Sequence, residues 1–219
     1  MVEYHKINGL YKRHQEGLNK GKFIFGEFAQ PEFEYLFYNE WVGTEKIDGT
    51  NIRIHWDGQE AKIGGKTDNA QIPVFLYDRL QKMIKEFDWT GIFNPTMHTM
   101  DGIPVADITL YGEGYGEKIQ KVGSKYIQDG VDFILFDIKI GNWWLKREDV
   151  DIIANKLGIK SVPILFRGTL EEGIEFVKCG FKSTIGTAEA EGLVLVPSID
   201  LFDRGGKRII TKLKTVDFQ

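Results

Sequence analysis

This 219-residue chain has few of the residues that cross-link a fold or ligate metals. Cys179 is its one cysteine, so no internal disulfide can form, and a reducing compartment is the natural setting. The four histidines, His5, His14, His55 and His98, show no metal-ligand spacing, and beside a single thiol they give no reason to expect zinc. No apolar run approaches membrane-spanning length, and Met1 to Leu10 lacks the apolar core of a secretion signal. The expectation is a soluble, monomeric, cytoplasmic protein of cellular or phage origin. An excess of one charge is missing too. The 32 acidic and 28 basic residues leave a net −4, so any nucleic-acid surface must be local. Neither repeats nor a Pro/Gly/Ser-rich linker divides the chain. A 42% apolar and 13% aromatic composition is enough for a substantial core, as in one large domain over residues 1–219.

Periodicity places the elements. Over residues 50–56, Ile52, Ile54 and Trp56 alternate with Asn51, Arg53 and His55, as in a half-buried strand, and Asp57-Gly58 then makes a hairpin turn. Pro73 opens a helix through Phe87, with Leu76, Leu80, Met83 and Phe87 at helical spacing. A second helix spans 147–157 and stops at Gly158; a third starts at Thr169, with Glu172 completing a capping box, and runs to about Lys178. Residues 104–112, 131–140, 191–196 and 207–214 are strand-like. Strands outnumber helices without alternating regularly with them, which predicts an α+β fold with largely antiparallel sheets flanking a cleft.

The most informative segment is Lys46-Ile47-Asp48-Gly49-Thr50-Asn51. A lysine aimed at a bound phosphate can act as a nucleophile and carry a nucleotide covalently. Asp48 can hold or polarise that lysine. Gly49, without a Cβ, lets the backbone approach a ligand closely. Such a nucleophile needs cations to neutralise phosphate charge, a metal, an aromatic face for the base and acceptors for the ribose hydroxyls.

The rest of the chain offers each of these. Lys212 and Lys214 project from one face of a strand, roughly 6–7 Å apart, with Ile209, Thr211 and Leu213 on the other. A bland reading makes them edge-guarding lysines. Glu191 opens the apolar strand Leu193-Val194-Leu195-Val196, as a metal-binding oxygen ligand or an ordinary strand-end charge. Glu113, beside the glycines at 112 and 114, can accept from ribose hydroxyls. Phe136 can stack on a purine or simply fill the core. Lys118, Lys121 and Lys125, near Tyr115 and Tyr126, form the densest basic patch, which suits either a nucleic-acid backbone or a solvated loop.

In order along the chain, Lys46-x-Asp48-Gly49, Tyr111-Gly112-Glu113, Phe133 to Ile138, Glu191-Gly192-Leu193-Val194 and Lys212-Leu213-Lys214 resemble the motifs of the covalent nucleotidyltransferases. These are the polynucleotide ligases and messenger-RNA capping enzymes. Glu45 before the lysine, Asn51 five residues after it, and Ile119-Gln120-Lys121 make the chain most similar to the RNA ligase 2-like branch.

The resemblance implies an ATP-grasp-like nucleotidyltransferase fold and an ATP-dependent RNA ligase, as used in RNA repair. Lys46 would form lysyl-AMP, Lys212 and Lys214 would hold the α-phosphate, Glu113 would contact the ribose and Phe136 the adenine. Glu45, Asn51 and Lys66 would complete the nucleotide site, with Glu191 and Asp48 as carboxylates for Mg²⁺ or Mn²⁺. The partner would be RNA with 5′-phosphate and 3′-hydroxyl ends, in a nicked duplex or an RNA/DNA hybrid. Two departures stand out. Asp48 replaces a histidine usual in the branch, and Lys66, in Gly64-Gly65-Lys66-Thr67, stands where an arginine is usual. Five residues follow Lys214, and the expectation is a single adenylyltransferase domain without a C-terminal accessory domain. The competing readings are a small DNA ligase and a non-catalytic nucleotide- or RNA-end-binding module.

Overall fold

A computed structural model describes residues 1–94, 97–98 and 104–219, which fall into two units. Met1–Tyr4 and Asp48–Val162 make the first; His5–Ile47 and Pro163–Gln219 make the second. No helix among the described residues is long and apolar enough to cross a membrane.

The alternation at 50–56 builds the middle of the first unit's sheet. The strand Thr50–Trp56 lies between Ala61–Gly64 and Ile108–Gly116, and the sheet continues through Val131–Ile140 to Trp143–Trp144. These pairs are antiparallel; the short strand Lys160–Ser161 adds in parallel beside Val131–Ile140. Asp57 shapes the hairpin turn by accepting the Gln59 and Glu60 N–H groups on Oδ1, and Gly58 takes a φ of 104°. Ile52, Ile54 and Trp56 pack with Leu110, Phe133, Leu135 and Ile138 under the helices Val74–Lys85 and Arg147–Leu157. Ile52, Ile54, Leu76, Leu80 and Leu110 are completely buried, each stabilising the unit by roughly 1.5–3 kcal/mol over exposure. Gly158 ends the second helix at a φ of 69°, as its position predicts.

Two expectations need correction here. The first helix stops at Lys85, capped by Glu86, and Phe87 instead sets its ring 5.4 Å from that of Trp89. Residues 104–112 are not one strand: Pro104–Val105 pairs with Met97–His98, and a separate strand, Ile108–Gly116, joins the main sheet.

The second unit's sheet runs, in spatial order, Asn8–Gly9, Thr211–Lys214, Gly192–Pro197, Trp41–Lys46 and Ile164–Gly168. Only the first pair is parallel. One face is buried, with Leu193, Leu195 and Leu213 packed on Phe33, Trp41, Leu170, Ile174 and Val177. The helix Leu170–Lys178 carries the anticipated capping box: Thr169 Oγ1 accepts the Glu172 N–H at 3.2 Å, and Glu172 Oε2 accepts the Thr169 N–H at 2.8 Å. The expected strand at 207–214 begins only at Thr211. Residues before it fold back on their own neighbours, with Asp203 N–H donating to Lys207 O and Ile209 N–H to Leu201 O. A nearby partner captured their backbone groups before the ladder could.

Candidate functional site

Strand register in the second unit assembles a row of charge. Gly192 pairs with Lys46 on one side and with Lys214 on the other, so the two lysines flank it on one face of the sheet. Two strand spacings separate them by roughly 9–10 Å. Glu191, the residue before Gly192, occupies that gap. Its Oε2 accepts from Lys46 Nζ at 2.6 Å and its Oε1 from Lys214 Nζ at 2.6 Å. Gly192 is required for this packing, because a Cβ there would sit 1.9 Å from the Leu213 carbonyl oxygen, at a φ of 152°. Lys212 pairs with Val194 on the same face, one step along the sheet. Burial, then the positive charges of Lys214, Lys46 and Arg13, lower its pKa below the ordinary lysine value, with Glu191 opposing them. Three lysines and one carboxylate thus converge on a partly open face whose reverse is apolar core.

Glu45 lies elsewhere. Strand parity puts it on the face opposite Lys46, and it is 2% exposed. Its carboxylate accepts from the Ser183 hydroxyl, from the Thr184 hydroxyl at 2.5 Å and from the Thr184 N–H at 3.0 Å. Buried and triply hydrogen-bonded, it ties the strand of Lys46 to the loop leading into Glu191. Neither Ser183 nor Thr184 carries a sequence signal for this role; only the fold brings them to Glu45.

In the first unit the candidate residues gather on the sheet face opposite the helices. Asn51 and Glu113 are directly opposed across neighbouring strands. Asn51 Oδ1 is buried and, among the described residues, has no hydrogen-bond partner, an acceptor available to a ligand. Phe136 occupies a bulge, where the register shifts between Leu135 and Asp137. Alternation alone turns Phe136 away from the core face of Phe133 and Leu135, and the extra residue keeps Asp137 on that outer face too before Ile138 returns to the core; the Phe136 ring meets that of Tyr4 edge-on at 5.0 Å. Tyr4 also packs on Tyr111 and donates its hydroxyl to Asp137 at 2.8 Å. Asp48 donates its N–H to the Tyr126 hydroxyl at 3.2 Å, and Gln120 Nε2 donates to Gly49 O at 3.0 Å. Gly49 does permit a close approach, but the neighbour is the Gly114 backbone: a Cβ would meet that carbonyl oxygen at 2.3 Å. Lys66 is exposed on a turn that Arg53 supports from beneath. Arg53, fully buried, donates to the Gly65 and Met1 carbonyls and to Asp68. Alternation placed Arg53 on the face of Asn51 but gave no sign of its burial or its role under this turn.

Among the described residues no three His, Cys, Asp or Glu side chains are arranged to cage a metal ion. The donor set fits one kind of ion. Mg²⁺ keeps most of its water and is commonly held by one or two carboxylates plus substrate phosphates, which a single carboxylate such as Glu191 can provide.

The sequence profile of the RNA ligase family matches residues 39–214, and the chain belongs to that family. No curated protein matches it in sequence. Among solved structures the fold resembles Naegleria gruberi RNA ligase. A variant of that ligase with ATP and manganese is 20% identical, with a TM-score of 0.61 over 84% of this chain and 51% of that one. The same ligase with pyrophosphate is 21% identical over 84% and 52%, with a TM-score of 0.61. A variant with AMP and manganese is 21% identical over 84% and 52%, with a TM-score of 0.60. The chain spans about half the length of these proteins, and the likeness is one of fold. The α+β, mostly antiparallel architecture is that of the RNA ligase nucleotidyltransferase fold.

Proposed function

We propose that this chain is the adenylyltransferase domain of an ATP-dependent RNA ligase, with Lys46 as the covalent nucleophile. One observation carries the reading: Lys46, Lys214 and Glu191 are locked in a single ion-paired row, with Lys212 beside it. A solvated strand edge does not need three lysines facing one carboxylate. Lys46 Nζ, as the free amine, attacks the α-phosphorus of ATP; an N–P bond forms, the bond from the α-phosphorus to the bridging oxygen breaks, pyrophosphate leaves, and the nitrogen releases a proton to solvent. Lys212 and Lys214 offset the charge that builds on the α-phosphate oxygens. Glu191 is the carboxylate that would hold a divalent metal, and Asp48 is a second candidate; bound there, Mg²⁺ or Mn²⁺ neutralises phosphate charge.

Adenylate then passes from Lys46 to an RNA 5′-phosphate, and an RNA 3′-hydroxyl displaces AMP to seal the strand. Glu113 and Asn51 supply acceptors for ribose hydroxyls, and Phe136 a face for the adenine. The Naegleria gruberi ligase, solved with ATP, AMP and pyrophosphate, supports this reaction class. Incubation with α-labelled ATP and Mg²⁺, followed by denaturing electrophoresis, should label the wild-type chain and leave Lys46→Ala unlabelled. An unlabelled wild type, or equal labelling of the variant, would remove the proposal. Sealing assays on nicked RNA, DNA and hybrid duplexes decide the substrate; a preference for all-DNA nicks would make it a DNA ligase.

A further inference from the structure

Between the strands Ile108–Gly116 and Val131–Ile140, the chain passes through a loop bearing Lys118, Lys121 and Lys125, all exposed. The loop is firmly held. Ile119 is 3% exposed in the first unit's core, and Tyr126 is 5% exposed. Glu117 donates its N–H to Gly130 O at 2.8 Å, Ile119 to Gly116 O at 3.0 Å, and Lys125 to Val122 O at 2.9 Å. Gly123 sits so close to the preceding strand that a Cβ would meet Gly116 O at 1.9 Å.

The backbone is also strained in one place. Lys118 and Gln120 have φ values of 62° and 56°, in the left-handed region that non-glycine residues seldom occupy. Each carries a penalty of roughly 1 kcal/mol or more, and such strain concentrates at functional positions. The effect here is to bury Ile119 while both its neighbours face solvent. Two side chains fasten the loop to the turn that follows the nucleophile: Gln120 holds Gly49 O, and Tyr126 holds the Asp48 N–H.

The loop carries its three lysines against two acids, Glu117 and Asp129, at its two ends. Lys118 meets Glu117 at 3.5 Å, a pair whose lysine is 72% exposed and which therefore contributes little. Among the described residues, Lys121 and Lys125 have no ion-pair partner. The adjacent groove is different: Arg79, Lys82 and Lys118 are balanced there by Asp78, Glu117 and Asp129, so its floor offers a polyanion no net attraction. Solvated lysines require neither a rigid platform nor a left-handed backbone; binding a row of phosphates profits from both.

We infer that Lys118, Lys121 and Lys125 form a track for the phosphate backbone of the substrate RNA strand. This rests on the RNA ligase reading above, and the test separates the two. Binding of a fluorescent single-stranded RNA with a 5′-hydroxyl is measured without ATP across a salt series, so no chemistry is needed. The triple variant Lys118→Gln, Lys121→Gln, Lys125→Gln should bind tenfold or more weakly at low salt. Its slope of log Kd against log salt should be shallower by about two, from about 0.7 per phosphate contact on single strands. Labelling of Lys46 by ATP alone should stay within twofold of wild type. A control variant, Lys20→Gln, Lys85→Gln, Lys160→Gln, makes the same change in net charge and should bind RNA as the wild type does. Unchanged affinity and slope in the first variant, or an equal loss in the control, would overturn the track. A wild type that binds RNA with the steep slope but never labels with ATP would leave the track standing and sink the ligase reading instead.

Discussion

The two units share a plan, a sheet with one apolar face against helices and one polar face, yet the polar faces differ in kind. That of the second unit carries Lys46, Lys212 and Lys214 around a single carboxylate. That of the first carries Asn51, Glu113 and Tyr111, with Phe136 and, through the bulge after Leu135, Asp137 beside them. One face concentrates cations, and the other presents acceptors and rings. Like charges gathered on one face repel one another, and more strongly when half-buried than in water. The second unit tolerates them because Glu191 stands between two of them and because a phosphate would satisfy all three. In the proposed reaction the two faces would divide the labour, charge neutralisation on one sheet and hydrogen-bonded recognition on the other, both set by the two-residue parity of a strand.

Single substitutions can break or sharpen that contrast. The largest effects on chemistry should come from the cation face: Lys212→Ala or Lys214→Ala should slow single-turnover labelling of Lys46 by about 100-fold, as removal of a preorganised charge-stabilising donor does elsewhere. If both variants label at the wild-type rate, the cation face is not where the chemistry sits. Next in size is a structural effect in the first unit. Leu76 is fully buried, and Leu76→Ala should cost about 3 kcal/mol in urea unfolding, a cost that a rearranged core would shrink toward zero.

On the recognition face, Asn51→Ala removes a buried acceptor and should weaken ATP binding about tenfold by calorimetry while leaving the fold intact. Equal affinity for ATP would remove Asn51 from the nucleotide site. The smallest effect is pH-dependent and belongs to the second unit. Burial, with Arg208 nearby, lowers the His5 pKa to about 4, so the folded chain keeps it neutral where the unfolded chain takes a proton near pH 6.5. The unfolded state binds more protons in that window, so stability should fall on acidification, by about 1 kcal/mol from pH 7 to 5 once the partial exposure of the ring is allowed for. His5→Gln should flatten the change in urea midpoint, and an unaltered pH dependence would assign the titration to other groups. Lys212 acts in the same direction at alkaline pH: its lowered pKa means stability gained as pH rises toward the ordinary lysine value.

What the sequence disclosed was mostly local. The alternation at Thr50–Trp56, the capping box at Thr169 and the glycine stop at Gly158 depend on neighbours within a few residues, and all three are found. The strand Trp41–Lys46 was not read from the sequence, because its partners, Gly192–Pro197 and Ile164–Gly168, lie far along the chain. The same distance hides the Glu45 network: parity assigns Glu45 to the face opposite Lys46 only once that strand is known. Residues 207–210 run without a break into the final strand but spend backbone groups on Leu201 and Asp203, a competition that a local reading cannot rank. The bulge at Phe136 left no mark in composition. The row formed by Lys46, Glu191 and Lys214 was anticipated as a set of motifs, though nothing in their spacing foretold that one carboxylate would hold both amines.

The central claim is that one amine among the three takes the adenylate, and mapping the adduct tests it most directly. The chain is incubated with ATP and Mg²⁺, digested under conditions that preserve phosphoramidates, and sequenced by mass spectrometry. Adenylate on the peptide containing Lys46, localised to that side chain, is the predicted result; adenylate on Lys212 or Lys214 instead, or on no lysine at all, would contradict it.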